Sequence, residues 1–187
     1  MKFLIAGLGN PGSKYENTRH NIGFKILDAL AEAANTEFSI ERHGERAQFV
    51  HRGKTLVLLK PSTFMNLSGK AINYWLQKDK IQIEHLLIVS DDISLPLGKL
   101  RLKGKGSHGG HNGLRSIQEI LGTSNFSRLR FGIGNNFYTG QQVEHVLGEW
   151  EDIEYPIIQK KLAVSNEMIE SFCSIGLDRT MNIYNNK

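Results

Sequence analysis

Two stretches of the chain are apolar at every successive position. Phe3–Ala6 and Leu86–Val89 show no alternation, as expected of strands covered on both faces in a parallel sheet. They are read as strands over Lys2–Gly7 and Leu86–Ser90. Ile22, Ile26, Leu27, Leu30, Ala31 and Ala34 recur at helical spacing, which predicts a helix over Ile22–Ala34 with one apolar face. Phe38–Arg42 and Ala47–Arg52 read as short strands. Gly53-Lys54 then turns the chain into a third, Thr55–Lys60, as a hairpin that Pro61 ends. A helix is expected over Ser68–Lys78, a turn at Leu95–Gly98 and a short basic strand over Lys99–Lys103. Gly104–Gly113 is too rich in glycine to be regular. A short helix over Leu114–Leu121, a strand over Arg128–Gly134, a polar loop at Asn135–Gly140 and a long helix over Ile153–Ser174 follow. The polar tail, Leu177–Lys187, is expected to fray.

The order is β-α-β-β-β-α-β-β-α-β-α, without repeat, linker or low-complexity segment. It predicts one α/β domain over residues 1–187: three layers, with a mixed, mostly parallel twisted sheet flanked by helices. The chain has 187 residues, enough for a real core. A single cysteine, Cys173, excludes an internal disulfide and suits a reducing compartment. It lies in an apolar helical run with Ile169, Phe172 and Ile175, which marks it as a buried structural thiol. The N-terminal strand lacks the build of a signal peptide. No apolar run approaches the roughly 20 residues of a membrane span. A cytoplasmic protein is expected. The net charge of +4 is compatible with a polyanionic partner without requiring one.

The stretch Gly7–Asn21 joins the first strand to the first helix, at the strand end where open α/β sheets carry their chemistry. Gly7-Leu8-Gly9-Asn10-Pro11-Gly12 matches the dinucleotide fingerprint G-x-G-x-x-G. Two features oppose a nucleotide cofactor. Pro11 and the run after it delay the helix whose N-terminus would meet a pyrophosphate, and the acidic position about 20 residues on falls at Glu32, inside a helix. The glycines serve equally as a tight turn with close backbone passage.

His20 precedes the first helix, and Asp91 ends a strand on the same sheet edge. A carboxylate bonded to one imidazole nitrogen would set the tautomer and leave the other nitrogen as a general base. Asn10, Asn66 and Asn112 mark strand-end loops, where neutral amides can donate to an oxyanion. His108 and His111 beside Asp91 raise the question of a metal, but the spacing is not a helical pair and no cysteine or glutamate completes a set. No G-x-S-x-G elbow is present, so a hydrolase would use an attacking water. Arg101, Lys103, Lys105, Arg128 and Arg130 cluster in two strands and a loop. They form either a solvated edge protected by charge or a phosphate-binding track.

Taken together, GLGNPG-x-x-Y-x-x-T-R-H-N (Gly7–Asn21), KP-x-T-F-M-N-x-S-G (Lys60–Gly69), DD-x-x-L-P-x-G (Asp91–Gly98), GSHGGHNGL (Gly106–Leu114) and RLRFGIG (Arg128–Gly134) resemble the bacterial-type peptidyl-tRNA hydrolase family, in order and over nearly the whole chain. The resemblance implies hydrolysis of the ester joining a peptide to the terminal ribose of tRNA. It implies a cytoplasmic monomer that needs no metal or cofactor. By motif position His20 is then the base, held by Asp91. Asn10 reads the acylated amino group, Asn66 is the oxyanion donor and Asn112 a second positioning amide. Tyr15 and Phe64 would contact the tRNA end or the peptide, and Met65 would line the peptide channel. Asn21 and His111 join the substrate contacts, and Lys103 and Arg130 the phosphate contacts. Two departures stand out: Ser94, where the family often has an acid, and Ser90, where some members carry histidine. Two rival readings remain, a nucleotide-cofactor enzyme using Gly7–Gly12 and a non-catalytic RNA-binding module of the same fold.

Overall fold

A computed structural model describes every residue from Met1 to Lys187. Seven strands form one mixed sheet in the order β2-β3-β4-β1-β5-β7-β6. They are β1 (Lys2–Gly7), β2 (Ser39–Glu41), β3 (Gly44–His51), β4 (Lys54–Pro61), β5 (Leu86–Asp92), β6 (Leu100–Lys103) and β7 (Ser127–Gly132). β4, β1, β5 and β7 run parallel in the centre, and antiparallel pairings bring in β3 and β2 on one side and β6 on the other. The helices are α1 (Ile22–Ala33), α2 (Ser68–Lys78), α3 (Asn112–Leu121), α4 (Gln142–Val146), α5 (Tyr155–Ile175) and α6 (Leu177–Tyr184).

The layering explains the unbroken apolar strands. Phe3 and Ile5 enter the core that α1 and α5 cover, with Leu27, Ile169 and Phe172. Leu4 and Ala6 enter the opposite core beneath α2 and α3, with Ile72, Trp75 and Ile117. Successive side chains point to opposite faces, and both faces are dry. Cys173 is buried as expected, and burial pushes its thiol well above the ordinary value. No helix is long and apolar enough to cross a membrane.

Two elements differ from the sequence reading. The tail does not fray. Leu177–Tyr184 form α6, which packs on β6. The Asn185 side chain then accepts from Leu102 N at 2.8 Å and donates to Leu102 O at 2.9 Å, as a neighbouring strand would. An exposed strand edge is thereby occupied. The segment after Gly140 contains the one-turn helix α4, too short to announce itself by periodicity.

The glycines of the first loop have a packing role. A Cβ on Gly7 would sit 2.4 Å from Gly23 O, and one on Gly23 would sit 2.5 Å from Leu8 N. A Cβ on Gly9 would meet the Phe24 ring at 2.9 Å. The start of α1 therefore rests directly on the end of β1. Alanine at Gly23 raises helix propensity by up to about 1 kcal/mol, but here the clash with backbone dominates. Gly23→Ala should destabilise the fold by about 1–3 kcal/mol, read as a lowered urea midpoint. An unchanged or raised midpoint would show that α1 can lift off β1 at no cost.

Candidate active site

The loop leaving β1 is closed on itself. Asn10 N donates to Asn21 Oδ1 at 2.8 Å, and Asn21 Nδ2 donates to Asn10 O at 2.9 Å. Asn21 is buried, with both ends of its amide engaged by the Asn10 backbone. It clamps the loop, and that is the role its observed hydrogen bonds give it. The side-chain oxygen of Asn10 accepts from Met65 N at 2.8 Å. That bond sets the amide's orientation and leaves its NH2 as a donor in a residue that lines the cleft.

His20 lies in a 3-10 turn, Arg19–Asn21, that leads into α1. Its Nδ1 donates to Asp91, 2.9 Å from Oδ1 and 3.0 Å from Oδ2. Nε2 has no protein partner. The side chain is 12% exposed and lines the cleft. Asp91, at the end of β5, is 3% exposed. It has a second imidazole partner: His111 lies 2.9 Å from Oδ1 through Nε2. His111 Nδ1 accepts from Gly113 N and Leu114 N, at 3.1 and 3.3 Å, and so caps α3. A nitrogen that accepts carries no proton, so Nε2 is the N–H that donates to Asp91. Burial pushes the Asp91 carboxyl up, but His20 and His111 together outweigh it and hold the group well below the usual carboxylate range. The site thus holds an anion with two imidazole donors.

The ligating atoms of His20, Asp91 and His111 lie within 4.8 Å of one another. Asp91 is already hydrogen-bonded by both rings, and a cation held between these atoms would have to displace both N–H protons. His108, considered with them on sequence, instead accepts from Gly110 N at 2.9 Å and is no part of this cluster.

The groups open into a cleft of about 680 Å³. Asn66, in the 3-10 turn Met65–Leu67, and Asn112, at the start of α3, are exposed along it. Met65 is buried in the wall, where a Cβ on Gly113 would touch its sulfur at 2.6 Å. Phe64 stands 55% exposed, with Tyr15 edge-on to its ring at 6.4 Å.

The basic cluster separates into unlike members. Lys103 is exposed and lines the cleft. Arg130 also lines it, but its Nε donates to Asp92 at 2.6 Å and its NH2 to Ser94 Oγ at 3.0 Å. Ser94 Oγ in turn donates to Asp92. The serine that departs from the family pattern therefore bridges an ion pair. Arg128 is not on the surface track at all. It is buried over the Phe126 ring at 4.2 Å and donates to Ser107 O and Ser124 O, tying down the glycine-rich loop. Burial and the nearby Arg130 lower its pKa to about 10.

Sequence reasoning missed the wall made by α4, where Val143, Val146 and Leu147 line the cleft. A single i, i+4 pair, Val143–Leu147, is too little periodicity to have announced it. Arg19, part of the first-loop motif but given no role by the sequence, is buried between that loop and the 145–154 segment.

The family model described as peptidyl-tRNA hydrolase matches residues 4–187. A peptidyl-tRNA hydrolase of Phocaeicola vulgatus is 54% identical over 187 residues, covering 100% of both chains. One of Bacteroides fragilis is 53% identical over the same full lengths. The crystal structure of peptidyl-tRNA hydrolase from Acinetobacter baumannii superposes with a TM-score of 0.92 at 34% identity, over 98% of this chain and 94% of that one. Neither a dinucleotide enzyme nor a non-catalytic RNA module is supported by these relatives. With its full length matched by model, sequence and structure, the chain belongs to the peptidyl-tRNA hydrolase family.

Proposed function

We propose that this chain cleaves the ester between peptide and tRNA with His20 as general base and a water as nucleophile. Hydrolysis of that ester is the family's reaction. The observation that carries the assignment of roles is the His20–Asp91 pair. One imidazole nitrogen is tied to a buried carboxylate and the other, in a cleft residue, has no protein partner. His20 Nε2 takes a proton from water, and the water oxygen attacks the ester carbonyl carbon. Asp91 holds the ring and stabilises the imidazolium that forms. The Asn66 amide donates to the oxyanion. As the tetrahedral intermediate collapses, the carbon–oxygen bond to ribose breaks and the imidazolium returns its proton to the ribose oxygen. The products are free tRNA and a free peptide acid.

Asn10 donates its NH2 to a carbonyl of the acylated amino group, a partner that a free aminoacyl ester lacks. Asn112 positions the chain beside it. His111 holds Asp91 and α3 together. Its Nδ1 is committed to the cap, so it steadies the anion and does not serve as a second base. Tyr15, Phe64 and Met65 face the adenosine end or the peptide, and Lys103 meets phosphate. Arg130, anchored by Asp92, presents its remaining donors on the same side. An ester is reactive enough for an imidazole-activated water. The reading therefore calls for no cofactor or metal in the chemical step, and the family resemblance adds a cytoplasmic monomer acting on peptidyl-tRNA.

His20→Ala should lower single-turnover hydrolysis by about 10²–10⁴-fold, because base catalysis is lost. Binding of tRNA should change little, since the base acts in the transition state. Retention of a tenth of the rate would remove His20 from this role.

Asp91 makes the folded state acid-sensitive. Its folded pKa lies below the unfolded value of about 3.9, so its stabilising contribution is full above that value and is lost as pH falls toward the folded one. In urea titrations between about pH 5 and pH 3, wild type should lose stability more steeply than Asp91→Asn. Parallel curves would show that the carboxylate is not held by its imidazoles.

Lys103→Ala should raise KM on full tRNA substrates and flatten the salt dependence by about one unit of slope. On N-acyl-aminoacyl adenosine, which lacks the phosphates, it should be nearly silent. Arg130→Ala should harm both substrates, because it also leaves Asp92 unpaired beside the catalytic carboxylate. A Lys103→Ala loss of equal size on both substrates would refute the phosphate role.

A further inference from the structure

We infer that Arg19 is a positioning residue that couples the peptide-facing wall of the cleft to the catalytic base. The inference rests on His20 being that base. Helix α4 has five residues, too few to persist unsupported. Its Val143, Val146 and Leu147 line the cleft, and Val143 and Leu147 remain exposed there. Uncovered apolar side chains gain when an apolar group lies against them. In this substrate both a peptide side chain and a base of the tRNA end are apolar enough to lie there. The wall is assigned to the peptide, and the two substrates below, which share their tRNA, separate the two.

On its other side α4 packs on the 3-10 turn that carries His20. Arg19 is the joint. Its guanidinium donates to Glu154 Oε2 at 2.9 Å and to His145 O at 3.2 Å, and lies 5.5 Å over the Trp150 ring. Its own backbone N donates to Gly148 O at 2.9 Å, and Thr18 bridges to Glu149. Every one of these contacts joins the residues flanking His20 to the segment that ends α4. His145 is anchored in turn by donating from Nε2 to Ile133 O and Gly134 O, at 3.0 and 3.1 Å. Helix α4 is therefore also tied, through His145, to the residues that follow β7, the strand beside Asp91. A shift in α4 therefore bears on Arg19 through its side chain and, past the helix end, through its backbone N, and the next residue is the base. An ångström of misplacement at a catalytic group can cost about 10²-fold. A peptide that settles α4 thus also settles His20.

The test compares two substrates that share an ester: N-acetyl-glycyl-tRNA and a tripeptidyl-tRNA with two leucines before the same glycine. Wild type should show a higher kcat on the longer substrate. Arg19→Gln should lose about tenfold in kcat on the long substrate and about twofold or less on the short one, with Arg19→Lys recovering part of the loss. Glu154→Gln, which removes one anchor while keeping Arg19, should act in the same direction to a smaller extent. It serves as the second variant should Arg19→Gln fail to fold. Equal losses on both substrates, a change confined to KM, or no length dependence in wild type would each overturn the coupling. Retained turnover in His20→Ala would overturn the assignment of the base instead, so the two failures are distinguishable.

Discussion

A carboxylate buried at the end of a central strand is the constraint around which this fold is arranged. Asp91 is nearly inaccessible yet ionised, and burial alone opposes that state. Two imidazole N–H groups reverse the balance, and they come from opposite sides of the sheet edge. His20 arrives from the loop after β1, and His111 from the start of α3. Each imidazole has its second nitrogen assigned by its surroundings. On His111 it is bound to two backbone N–H groups. On His20 it lacks a protein partner and lines the cleft. Two similar residues on one carboxylate thus differ in what they leave over: His111 has both nitrogens engaged by the protein, and His20 has one that is not.

Holding that arrangement requires rigid loops. The Gly7–Gly23 contact presses α1 onto β1, and the Asn10–Asn21 pair closes the intervening chain. Asn10 is then bound to Met65 N, so the loop after β4 is registered to the loop after β1. On the other flank, the Arg130–Asp92–Ser94 group orders the residues that follow Asp91, and Arg128 supports the glycine-rich loop from below. The result is a preorganised polar edge in which few donors are left to reorient during reaction. The cations of this region divide by burial: Arg128 supports the structure, while Lys103 remains available to a phosphate.

Much of this was legible in the chain. The continuous apolar strands, the helical spacing after Ile22 and the turn residues determine a mixed α/β sheet, because a strand covered on both faces has no polar positions to offer. The order of the strand ends places His20, Asp91, Asn10 and Asn66 on one edge, whereas Asn112 reaches it only because the glycine-rich loop returns from the far end of β6. The motifs from Gly7 to Gly134 determine the family. The sequence also named α1, α2 and α5 to within a residue or two, since each carries a long periodic face.

Other features were decided only when distant segments met. Asn21 looked like a substrate contact because its type and place suit one, but a backbone eleven residues away engages it first. Arg128 and Arg130 alternate on one strand and read alike, yet Phe126 and two carbonyls bury the first and Asp92 pairs with the second. The tail is polar and locally weak, and it is ordered because β6 has an unpaired edge for Asn185 to satisfy. Residue type and spacing determine which elements form and which edge carries the chemistry. Which polar group is left over for a substrate is decided by competition among buried donors and acceptors, and that depends on partners far apart in the chain.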